Sequence, residues 1–383
     1  MTTSIRRHVG PLLAGALLIP FGLSAQGNLS TQGFGYPQGQ LSTRALGTGG
    51  AIGEFDPTTP LNPGSIGLLT NRTVLFQVEP EYRTLTSGSV VERTTTARYP
   101  VIFAGVPFGE RWVTSVSSST LLDRSWSTST SRFAPVGTDS VFTTFKESSS
   151  GAINDVRVAE AWSNRTWLYV GVGIHGITGR NVVSTGREFS DTTNFSSFAA
   201  TRTVSYSGTA LSAGAQFIAA GTGVIGVSYR RGGRIRARTN DSTLAQGNVP
   251  DHVGVSAAYS GISGSVFAVR AAHDKWSSLN SMIETPGQQG HDTWDLSGGA
   301  EVPGPRFGSQ TILLRSGVRT RTLPFEAAST QVTERSLSLG SGLALGRGRM
   351  VIDITGVRQW RTSQLPSVQE RAWTLSLSLT ARP

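Results

Sequence analysis

The stretch Trp373-Thr-Leu-Ser-Leu-Ser-Leu-Thr380 decides the fold. Large apolar side chains occupy every second position, at Trp373, Leu375, Leu377 and Leu379, and only Thr and Ser stand between them. Successive side chains of an extended strand point to opposite faces. One face of this strand is therefore apolar and the other is polar. This pattern is typical of a strand with lipid outside and a polar lumen inside.

The same alternation recurs along the chain from residue 73 onward. Most of the segments that show it exceed the roughly 9 to 11 residues that a tilted strand needs to cross a membrane. The pattern is weakest at 149–162. We count 14 segments, at 73–86, 89–106, 111–124, 149–162, 165–180, 200–219, 223–238, 250–260, 264–277, 291–302, 308–322, 332–346, 348–361 and 368–381. An even number returns both ends to one side of the membrane, so the sequence predicts an all-β fold, a 14-stranded antiparallel transmembrane β-barrel over 73–383.

The connections between these segments alternate in length. Transmembrane barrels have tight periplasmic turns and longer external loops, whereas a soluble β-sandwich has no reason to keep that order. The short connections are 107–110, 163–165, 219–223, 261–263, 303–308 and 346–348. The long polar ones are 125–148, 181–199, 239–249, 278–290, 323–331 and 362–367. Most of the eight Trp residues also fall near strand ends, as expected at a membrane interface, although core packing in a soluble barrel is the alternative.

Residues 1–25 have the features of a secretory signal peptide. Arg6 and Arg7 precede an apolar stretch at 11–23, and small residues end the segment at Ser24 and Ala25. A membrane-anchor helix is the alternative, but the apolar stretch is shorter than the roughly 20 residues that a spanning helix needs. We expect cleavage after Ala25 and export to the outer membrane of a bacterium with two membranes.

Composition excludes several other classes of protein. The chain contains no Cys, so disulfides do not hold the exported fold together. The net charge is +10, but the charge is carried by Arg spread along the chain, with only two Lys, at 146 and 275. Spread charge and an export signal make nucleic acid a poor partner.

Residues 26–72 differ from the rest because they are rich in Gly, Pro, Gln and Thr and show no sustained alternation. A disordered tail, a periplasmic extension and an internal plug are all compatible with this composition. The segment contains a Gly-rich run, Gly47-Thr-Gly-Gly-Ala51, followed by Asp56 and by Asn62-Pro63-Gly64. Gly permits close backbone approach and positive φ, and Asp-Pro and Asn-Pro pairs favour turns.

This run resembles the N-terminal region of the FadL-like outer-membrane family, in which G-x-G-G-A is followed by an acidic residue and an N-P-A triplet. The resemblance implies a 14-stranded barrel, in agreement with the independent strand count. It also implies that residues 26–72 fold into the barrel as a hatch, with Gly47, Gly49, Gly50, Ala51, Asp56, Asn62 and Pro63 as its motif. Members of the family carry hydrophobic compounds such as long-chain fatty acids and aromatic hydrocarbons, and others serve protein secretion.

Three features depart from the family pattern. The triplet ends in Gly64 rather than Ala. The chain ends at Thr380-Ala-Arg-Pro383, without the terminal aromatic residue that many such barrels present to the assembly machinery. The third segment, 111–124, has neither Gly nor Pro, so the sequence shows no kink there for a lateral exit.

Two groups of arginines could attract an anion. The arginines of each group share a strand face opposite apolar residues, Ile235 in one group and Leu314 and Val318 in the other, and by parity this face points inward or toward the external rim. The groups are Arg234, Arg236 and Arg238, and Arg315 and Arg319 together with Arg321. They could attract an anionic head group such as a carboxylate, pair with Asp and Glu inside the lumen, or contact lipopolysaccharide phosphates.

Other motifs do not indicate a reactive site. Gly171-Val-Gly-Ile-His-Gly176 matches a dinucleotide fingerprint, but it lies inside an alternating segment and no helix is predicted after it. The histidines lack metal-ligand spacing, and no serine is singled out as a nucleophile. We therefore expect neither catalysis nor a cofactor or metal.

The sequence thus predicts an outer-membrane channel for passive uptake of a hydrophobic small molecule, fatty-acid-like or aromatic. The expected partners are outer-membrane lipid and lipopolysaccharide, the hydrophobic ligand and the barrel-assembly machinery, with no nucleic acid. A barrel of the same fold that acts as a scaffold or docking partner for secreted proteins is the first alternative. A secreted soluble β-rich adhesin is the second, and the alternation of loop lengths disfavours it.

Overall fold

A computed structural model describes residues 35–383 apart from 88–89, 137–138, 220, 241, 284–288, 309, 328–329 and 363–367. The predicted signal peptide at 1–25, and residues 26–34 of the predicted hatch, lie outside these residues. None of the helices in the described part of the chain is long and apolar enough to cross a membrane.

Strands dominate the described chain, and the three helical segments are short. The helical segments are α1 (Thr43–Gly47) and two 3-10 helices at Pro63–Leu68 and Trp276–Met282. The first nine strands are β1 (Tyr36–Pro37), β2 (Thr73–Ser87), β3 (Val90–Arg98), β4 (Val101–Phe108), β5 (Trp112–Asp123), β6 (Trp126–Val136), β7 (Asp139–Ser163), β8 (Leu168–Phe189) and β9 (Phe198–Ala219). The others are β10 (Gly223–Thr239), β11 (Ser242–Asn248), β12 (His252–Ile262), β13 (Ser265–Asp274), β14 (Thr293–Phe307), β15 (Gln310–Ala327), β16 (Thr330–Leu345), β17 (Met350–Thr362) and β18 (Val368–Ala381).

These strands form a closed antiparallel barrel. Successive wall strands pair with each other, and β18 closes the ring by pairing with β2, with Trp373 opposite Tyr82. Three wall strands are interrupted: β3 continues into β4, β5 into β6, and β11 into β12, while β1 lies inside the wall. The wall therefore has 14 strands, as the sequence predicts.

The two faces of the wall have the predicted polarity. Along β18 the side chain of Trp373 is 54% exposed, whereas the side chain of Ser376 is fully buried. The exposed face elsewhere carries Val, Ile, Leu, Phe and Tyr, and the buried face carries Ser, Thr, Asp, Glu and Arg. Such a barrel presents an apolar band to lipid and encloses a polar interior.

The two ends of the barrel differ, but several of the predicted long connections are shorter than expected because strands extend into them. Short connections such as 109–111 and 346–349 define what we call the turn end, and the opposite end is the loop end. At the turn end β14 continues to Phe307, so most of the predicted 303–308 turn is strand. The weakest predicted segment, 149–162, belongs to the longest strand, β7.

Most of the predicted long connections contain regular structure, including 323–331, into which β15 and β16 extend. Residues 125–148 form a hairpin from β6 and the first part of β7, and β8 and β9 extend into 181–199. The region 239–249 contains β11, and the second 3-10 helix extends into 278–290. These strands extend beyond the apolar band, where polar residues occupy both faces. The alternation that reveals strands within a membrane is absent there.

Candidate functional site in the barrel interior

The N-terminal segment, residues 35–72, contacts the inner face of the wall on several strands. The hydroxyl of Thr43 lies 2.8 Å from the hydroxyl of Ser376 on β18. The Asn62 amide donates to the carbonyl oxygen of Ala215 on β9, at 3.1 Å. Because β18 and β9 stand on roughly opposite sides of the ring, the segment contacts both sides of the wall. Its helix α1 begins at Ser42, whose side chain accepts from the amide of Ala45 at 3.0 Å.

The Gly-rich run packs tightly against the wall. Gly49 and Gly50 have φ angles of 69° and 95°, which other residues rarely adopt. A Cβ on Gly49 would lie 2.8 Å from the carbonyl oxygen of Val318, and one on Gly47 would lie 3.1 Å from the hydroxyl of Thr355. Ala51 is fully buried in the same stretch.

Asp56 and Asn62 fix the turns of the segment. The Asp56 carboxylate accepts from the hydroxyls of Ser42 and Thr58 and from the Thr58 amide. The Asn62 side chain accepts from the amide of Gly64 at 2.8 Å and donates to the carbonyl oxygen of Glu54 at 3.0 Å. Pro63 opens the 3-10 helix, where its missing N–H costs nothing. Both side chains are buried, so they serve local structure.

Glycines on the wall make room for this segment. A Cβ on Gly171 of β8 would collide with the backbone of Pro63, and one on Gly214 of β9 would collide with the side chain of Asn62. Gly171 and Gly173 belong to the run that matches a dinucleotide fingerprint. That run lies within β8, so its glycines have a packing role here.

Arg315 and Arg319 face the interior and are ion-paired. Arg315 lies 2.6 Å from a carboxylate oxygen of Glu301 and 2.6 Å from one of Asp353. Arg319 donates twice to Asp295, at 2.7 Å each. Arg44 of the N-terminal segment shares Glu301, to which it donates two hydrogen bonds. Paired charges of this kind can be buried, whereas single ones are strongly destabilising.

Arg234, Arg236 and Arg238 lie on the other side of the wall. All three are exposed, and Ile235 between them is buried. The cause is a register shift in β10 between Gly232 and Ile235. Arg230 before the shift faces the interior, so the bulge exchanges the two faces of the strand. The two predicted arginine groups therefore do not share one surface.

Tyr36 lies at the centre of a buried charged cluster. Its hydroxyl donates to Glu334 at 2.8 Å and accepts from Arg321. Four guanidinium groups lie 4.4 to 5.7 Å from the centre of its ring, an arrangement that cation–π attraction favours. These groups are Arg83, Arg98, Arg321 and Arg361. Burial raises the pKa of the Tyr36 phenol to about 12, although Arg321 and Arg361 act in the opposite direction.

Four carboxylates compensate these arginines. Arg361 lies 2.6 Å from Glu334 and 3.2 Å from Glu81, and it also pairs with Glu370. Arg98 pairs with Glu81 and, at 2.6 Å, with Asp123. With Arg83 and Arg321 the cluster holds four positive and four negative side chains, so its formal charge is balanced. We call this set the Tyr36 cluster.

The Tyr36 cluster lies beside a break in the wall. The second wall strand is interrupted at Tyr99 and Pro100, between β3 and β4. Among the described residues, β4 pairs with β5 in the next wall strand. In contrast, β3 forms backbone pairs with β2 only. The third wall strand has a bulge at Leu121, a feature that needs neither Gly nor Pro. Tyr36 and Pro37 pair from inside with Asp123 and Leu122.

An apolar cluster occupies the loop end of the lumen. It gathers residues from β5, β7, β8, β9 and β10 beneath the second 3-10 helix. Its members are Leu121, Leu122, Ile153, Ile177, Val204, Tyr206, Ala210, Ile235, Ala237, Val249, Trp276, Leu279 and Met282. Trp276 and Leu279 are 3% exposed, so the helix covers this cluster like a lid. We call this set the loop-end apolar cluster.

The interior cavities around this cluster are small. One of about 10 Å³ lies among Leu122, Tyr206 and Met282, and one of about 40 Å³ lies between Gln40 and Trp276. They are large enough for about one water molecule each. The larger hollows, of about 830 and 560 Å³, are open grooves on the outer face of the wall. In the described part of the chain, neither of the two small cavities has room for a hydrocarbon ligand.

His175 connects three neighbouring strands inside the wall. Its Nδ1 lies 2.7 Å from a carboxylate oxygen of Asp155, and its Nε2 lies 2.8 Å from the hydroxyl of Ser212. The arrangement has the order of a hydrolytic triad. Ser212 is only 7% exposed, so a substrate has little access to its hydroxyl. In the described part of the chain no group of three or more His, Asp or Glu is placed to hold a metal ion.

The sequence did not predict Tyr36, the broken wall or the loop-end apolar cluster. Tyr36 stands in a Gly- and Gln-rich stretch without alternation, and its partners come from distant strands. The pair Gly232-Gly233 is the one local signal that indicates the bulge, because Gly inside a strand often marks one. The apolar cluster draws single residues from many strands, so no local pattern reveals it.

Comparison with known proteins shows which fold this is. No protein-family model and no curated protein matches the sequence. Solved structures do match over most of the chain. A Pseudomonas aeruginosa FadL homologue superposes with a TM-score of 0.63 at 13% identity, covering 91% of this chain and 99% of its own. The Pseudomonas putida toluene transporter TodX gives 0.61 at 12%, covering 93% and 99%.

The Ralstonia pickettii toluene transporter TbuX gives a TM-score of 0.57 at 14% identity, covering 93% of this chain and 99% of its own. At this identity the similarity concerns the fold. The chain therefore has the barrel fold of FadL homologues and toluene transporters, as the resemblance in its N-terminal segment implies.

Proposed function

We propose that this protein is an outer-membrane channel for passive uptake of a hydrophobic small molecule. The observation that carries the proposal is that the loop-end apolar cluster and the break in the wall meet the same N-terminal segment. Leu122 belongs to the apolar cluster and also pairs with Pro37 at the break. Movement of residues 35–41 would therefore connect the apolar cluster with the opening in the wall.

The ligand class follows from the chemistry of the loop-end apolar cluster. Its described members are aliphatic and aromatic apart from one sulfur, at Met282, and the hydroxyl of Tyr206. A surface of this kind favours an aromatic hydrocarbon or an acyl chain. The fold neighbours TodX and TbuX are toluene transporters, which supports the same class.

We further propose that residues 26–72 form the hatch and that residues 73–383 form the transmembrane barrel. The contacts of 35–72 with opposite sides of the wall support this division. Arg315 and Arg319 were predicted to attract anions. Their guanidinium groups already form ion pairs with Glu301, Asp353 and Asp295, and these pairs compete with that role. Arg234, Arg236 and Arg238 are exposed near the loop end and suit attraction of an anionic head group at the entrance.

An outer-membrane location fits this fold, with the loop end outside. Export through the signal peptide, contact with lipopolysaccharide and insertion by the assembly machinery accompany this proposal. Transport of this kind uses binding and movement, and it requires no catalytic group, cofactor or metal.

A scaffold or docking role is the second candidate. The specific observation in its favour is the size of the interior cavities, which are about 10 and 40 Å³. A protein that only presents its loops to a secreted partner needs no larger pocket. The two candidates differ in whether the N-terminal segment must move.

A disulfide lock tests this difference. The chain has no Cys, so an engineered pair stands alone. Pro37 and Leu122 are directly opposite each other in the β1–β5 pair, which suits a disulfide after Pro37→Cys and Leu122→Cys. In proteoliposomes we expect oxidation to abolish uptake of radiolabelled toluene or oleate, and reduction to restore it.

The matched control is Ser131→Cys with Thr144→Cys, whose hydroxyls lie 2.9 Å apart in the β6–β7 hairpin. Oxidation of this pair should leave uptake unchanged. Equal uptake by the locked and unlocked protein would refute movement of the segment. No uptake of either ligand by the unlocked protein would favour the scaffold role.

A further inference from the structure

Four arginines lie on the outer face of the wall, on one side of the barrel. Arg335 of β16 is opposite Trp360 of β17, which is opposite Arg371 of β18. Arg371 is opposite Thr84 of β2, and Thr84 is opposite Arg93 of β3. These residues therefore lie in one cross-strand row, and neighbouring strands are roughly 4.8 Å apart. Arg358 of β17 lies one register step below, between Trp360 and Trp373. We call Arg93, Arg335, Arg358 and Arg371 the arginine row.

The arginine row marks the loop-end border of the apolar band. Outward positions that follow Arg335 toward the turn end are Leu337 and Leu339, which are 51% and 71% exposed. Those beyond Arg371 are Trp373 and Leu375, which are also exposed. Trp and Arg at such a border sit at the level of lipid head groups.

None of these arginines has an acidic partner among the described residues. The ion pairs of the neighbouring strands all lie on the inner face, where Glu334, Arg361 and Glu370 point. Arg93, Arg335 and Arg371 are exposed and Arg358 is half-buried against the two indoles. Four positive charges in one patch beside an apolar surface therefore attract anions from outside the protein.

An apolar groove begins at this row. A hollow of about 560 Å³ is lined by Arg335, Trp360 and Leu337, and it shares Gly298, Val318 and Leu337 with a second hollow of about 830 Å³. The second hollow runs toward the turn end past Ser316 and Ala300 to Phe267. Small side chains at these outward positions create the depression. Its open side faces the lipid, and its length follows the direction of the strands.

We propose that the arginine row and this groove form a binding site for one acylated lipid that carries two phosphate groups, the chemistry of the lipid A part of lipopolysaccharide. Guanidinium groups bind phosphate oxygens with paired hydrogen bonds. The row extends over four strand spacings, roughly 19 Å, so a single phosphate cannot reach all of it. An acyl chain fits the groove that starts beneath Arg335.

This site is separate from the lumen and from the proposed transport. Failure of the uptake experiment would therefore leave it standing, and its own test uses lipid binding. The assignment of the loop end to the outer leaflet is the one element the two proposals share.

Native mass spectrometry of the delipidated full-length barrel tests the site. The probes are a bis-phosphorylated acylated glucosamine disaccharide, its monophosphoryl form, phosphatidylglycerol and inorganic phosphate. We expect one tightly bound bis-phosphorylated lipid per barrel, with binding weaker by about tenfold or more for each other probe. Arg335→Gln combined with Arg371→Gln should weaken binding of the bis-phosphorylated lipid by a similar factor. The affinity of Arg335→Lys with Arg371→Lys should lie between that of the wild type and that of the double Gln variant.

Two further variants separate the parts of the site. Ser316→Trp fills the groove and should weaken binding of the acylated lipid, while the arginines remain. Arg180→Gln removes an exposed arginine from β8, outside the row, and should have no effect. Unchanged binding in the double Gln variant overturns the site. Equal affinity for phosphatidylglycerol overturns the two-phosphate assignment, and equal affinity for inorganic phosphate reduces the row to an adventitious ion site only.

Discussion

The phenol of Tyr36 donates a hydrogen bond of 2.8 Å to Glu334, which lies 298 residues further along the chain. This contact joins the start of the N-terminal segment to β16, and the same hydroxyl accepts from Arg321 on β15. The ring also stands beside the break between β3 and β5. Tyr36 thus links the N-terminal segment, the charged interior and the break in the wall.

Tyr36→Phe should loosen the N-terminal segment and keep the barrel. The substitution preserves the ring among its four arginines but removes the hydrogen bond to Glu334, at a cost of about 1.5 to 3 kcal/mol because the partner is charged. We expect faster hydrogen exchange at residues 36–41 and higher conductance in planar bilayers. Tyr82→Phe, on the exposed face of β2, is the control, and equal exchange in both variants would contradict this role.

Tyr36 should also make stability depend on alkaline pH. In the unfolded chain its phenol ionises near pH 10, whereas burial raises its pKa to about 12 in the folded protein. Its contribution is complete below pH 10 and is lost as pH rises toward 12, by up to roughly 3 kcal/mol. The measurement is the urea midpoint between pH 9 and 12 for the wild type minus that for Tyr36→Phe. Parallel curves would show that Tyr36 does not titrate in this way.

Gly317→Ala should displace the Gly-rich run from the wall. A Cβ at this position would collide with the backbone of Thr48, and overpacking of a core typically costs about 1 to 3 kcal/mol. Protease should then cut within 43–52 more readily while the strands stay intact. Gly356→Ala is the matched control, because a Cβ there meets open space. The idea fails if both variants resist protease equally.

Asn62→Ala should release the second part of the N-terminal segment. It removes the donor to the buried carbonyl of Glu54, at about 1 to 3 kcal/mol, and the contact with the half-buried carbonyl of Ala215. Hydrogen exchange at 63–68 should rise, whereas Asn71→Ala, at an exposed asparagine, should change nothing. Unchanged exchange at 63–68 would show that other contacts hold the 3-10 helix.

Met282→Gln should reduce hydrophobic uptake through the loop-end apolar cluster. The side chains have similar size, but the amide adds a polar group to the apolar cluster, which costs about 1 to 3 kcal/mol when no partner is available. We expect uptake of toluene or oleate to fall about tenfold at low concentration. Met350→Gln, on the outer face of β17, should transport normally. Equal uptake by both variants would place the ligand path elsewhere.

Much of the wall could be predicted from the sequence because the membrane imposes a strict alternation. Leu337 and Leu339 face lipid and Ser336 and Ser338 face the interior, so parity alone determines their direction. Where strands leave the membrane, this constraint ends. The β6–β7 hairpin therefore looks like a polar loop, although it is regular strand.

The interior was harder to predict than the wall. The glycines of the N-terminal segment could be found from the motif, and the structure places Gly47 and Gly49 against the wall. Arg234 could not be placed, since the bulge after Gly232 inverts the strand faces. The role of Tyr36 could not be predicted because its partners are distant in sequence. The farthest among its four arginines, Arg361, lies 325 residues away.

The path of the N-terminal segment also fixes an order of events during folding. Tyr36 and Thr43 are synthesised before every wall strand, yet their partners Glu334, Arg361 and Ser376 are near the last residues made. Contacts between residues so distant in sequence form slowly, because the intervening chain must first be ordered. The segment cannot take its native position until β16, β17 and β18 are present. A chain truncated before residue 334 would leave Tyr36 and Thr43 without these partners. The N-terminal segment can therefore reach its native position only in a complete barrel.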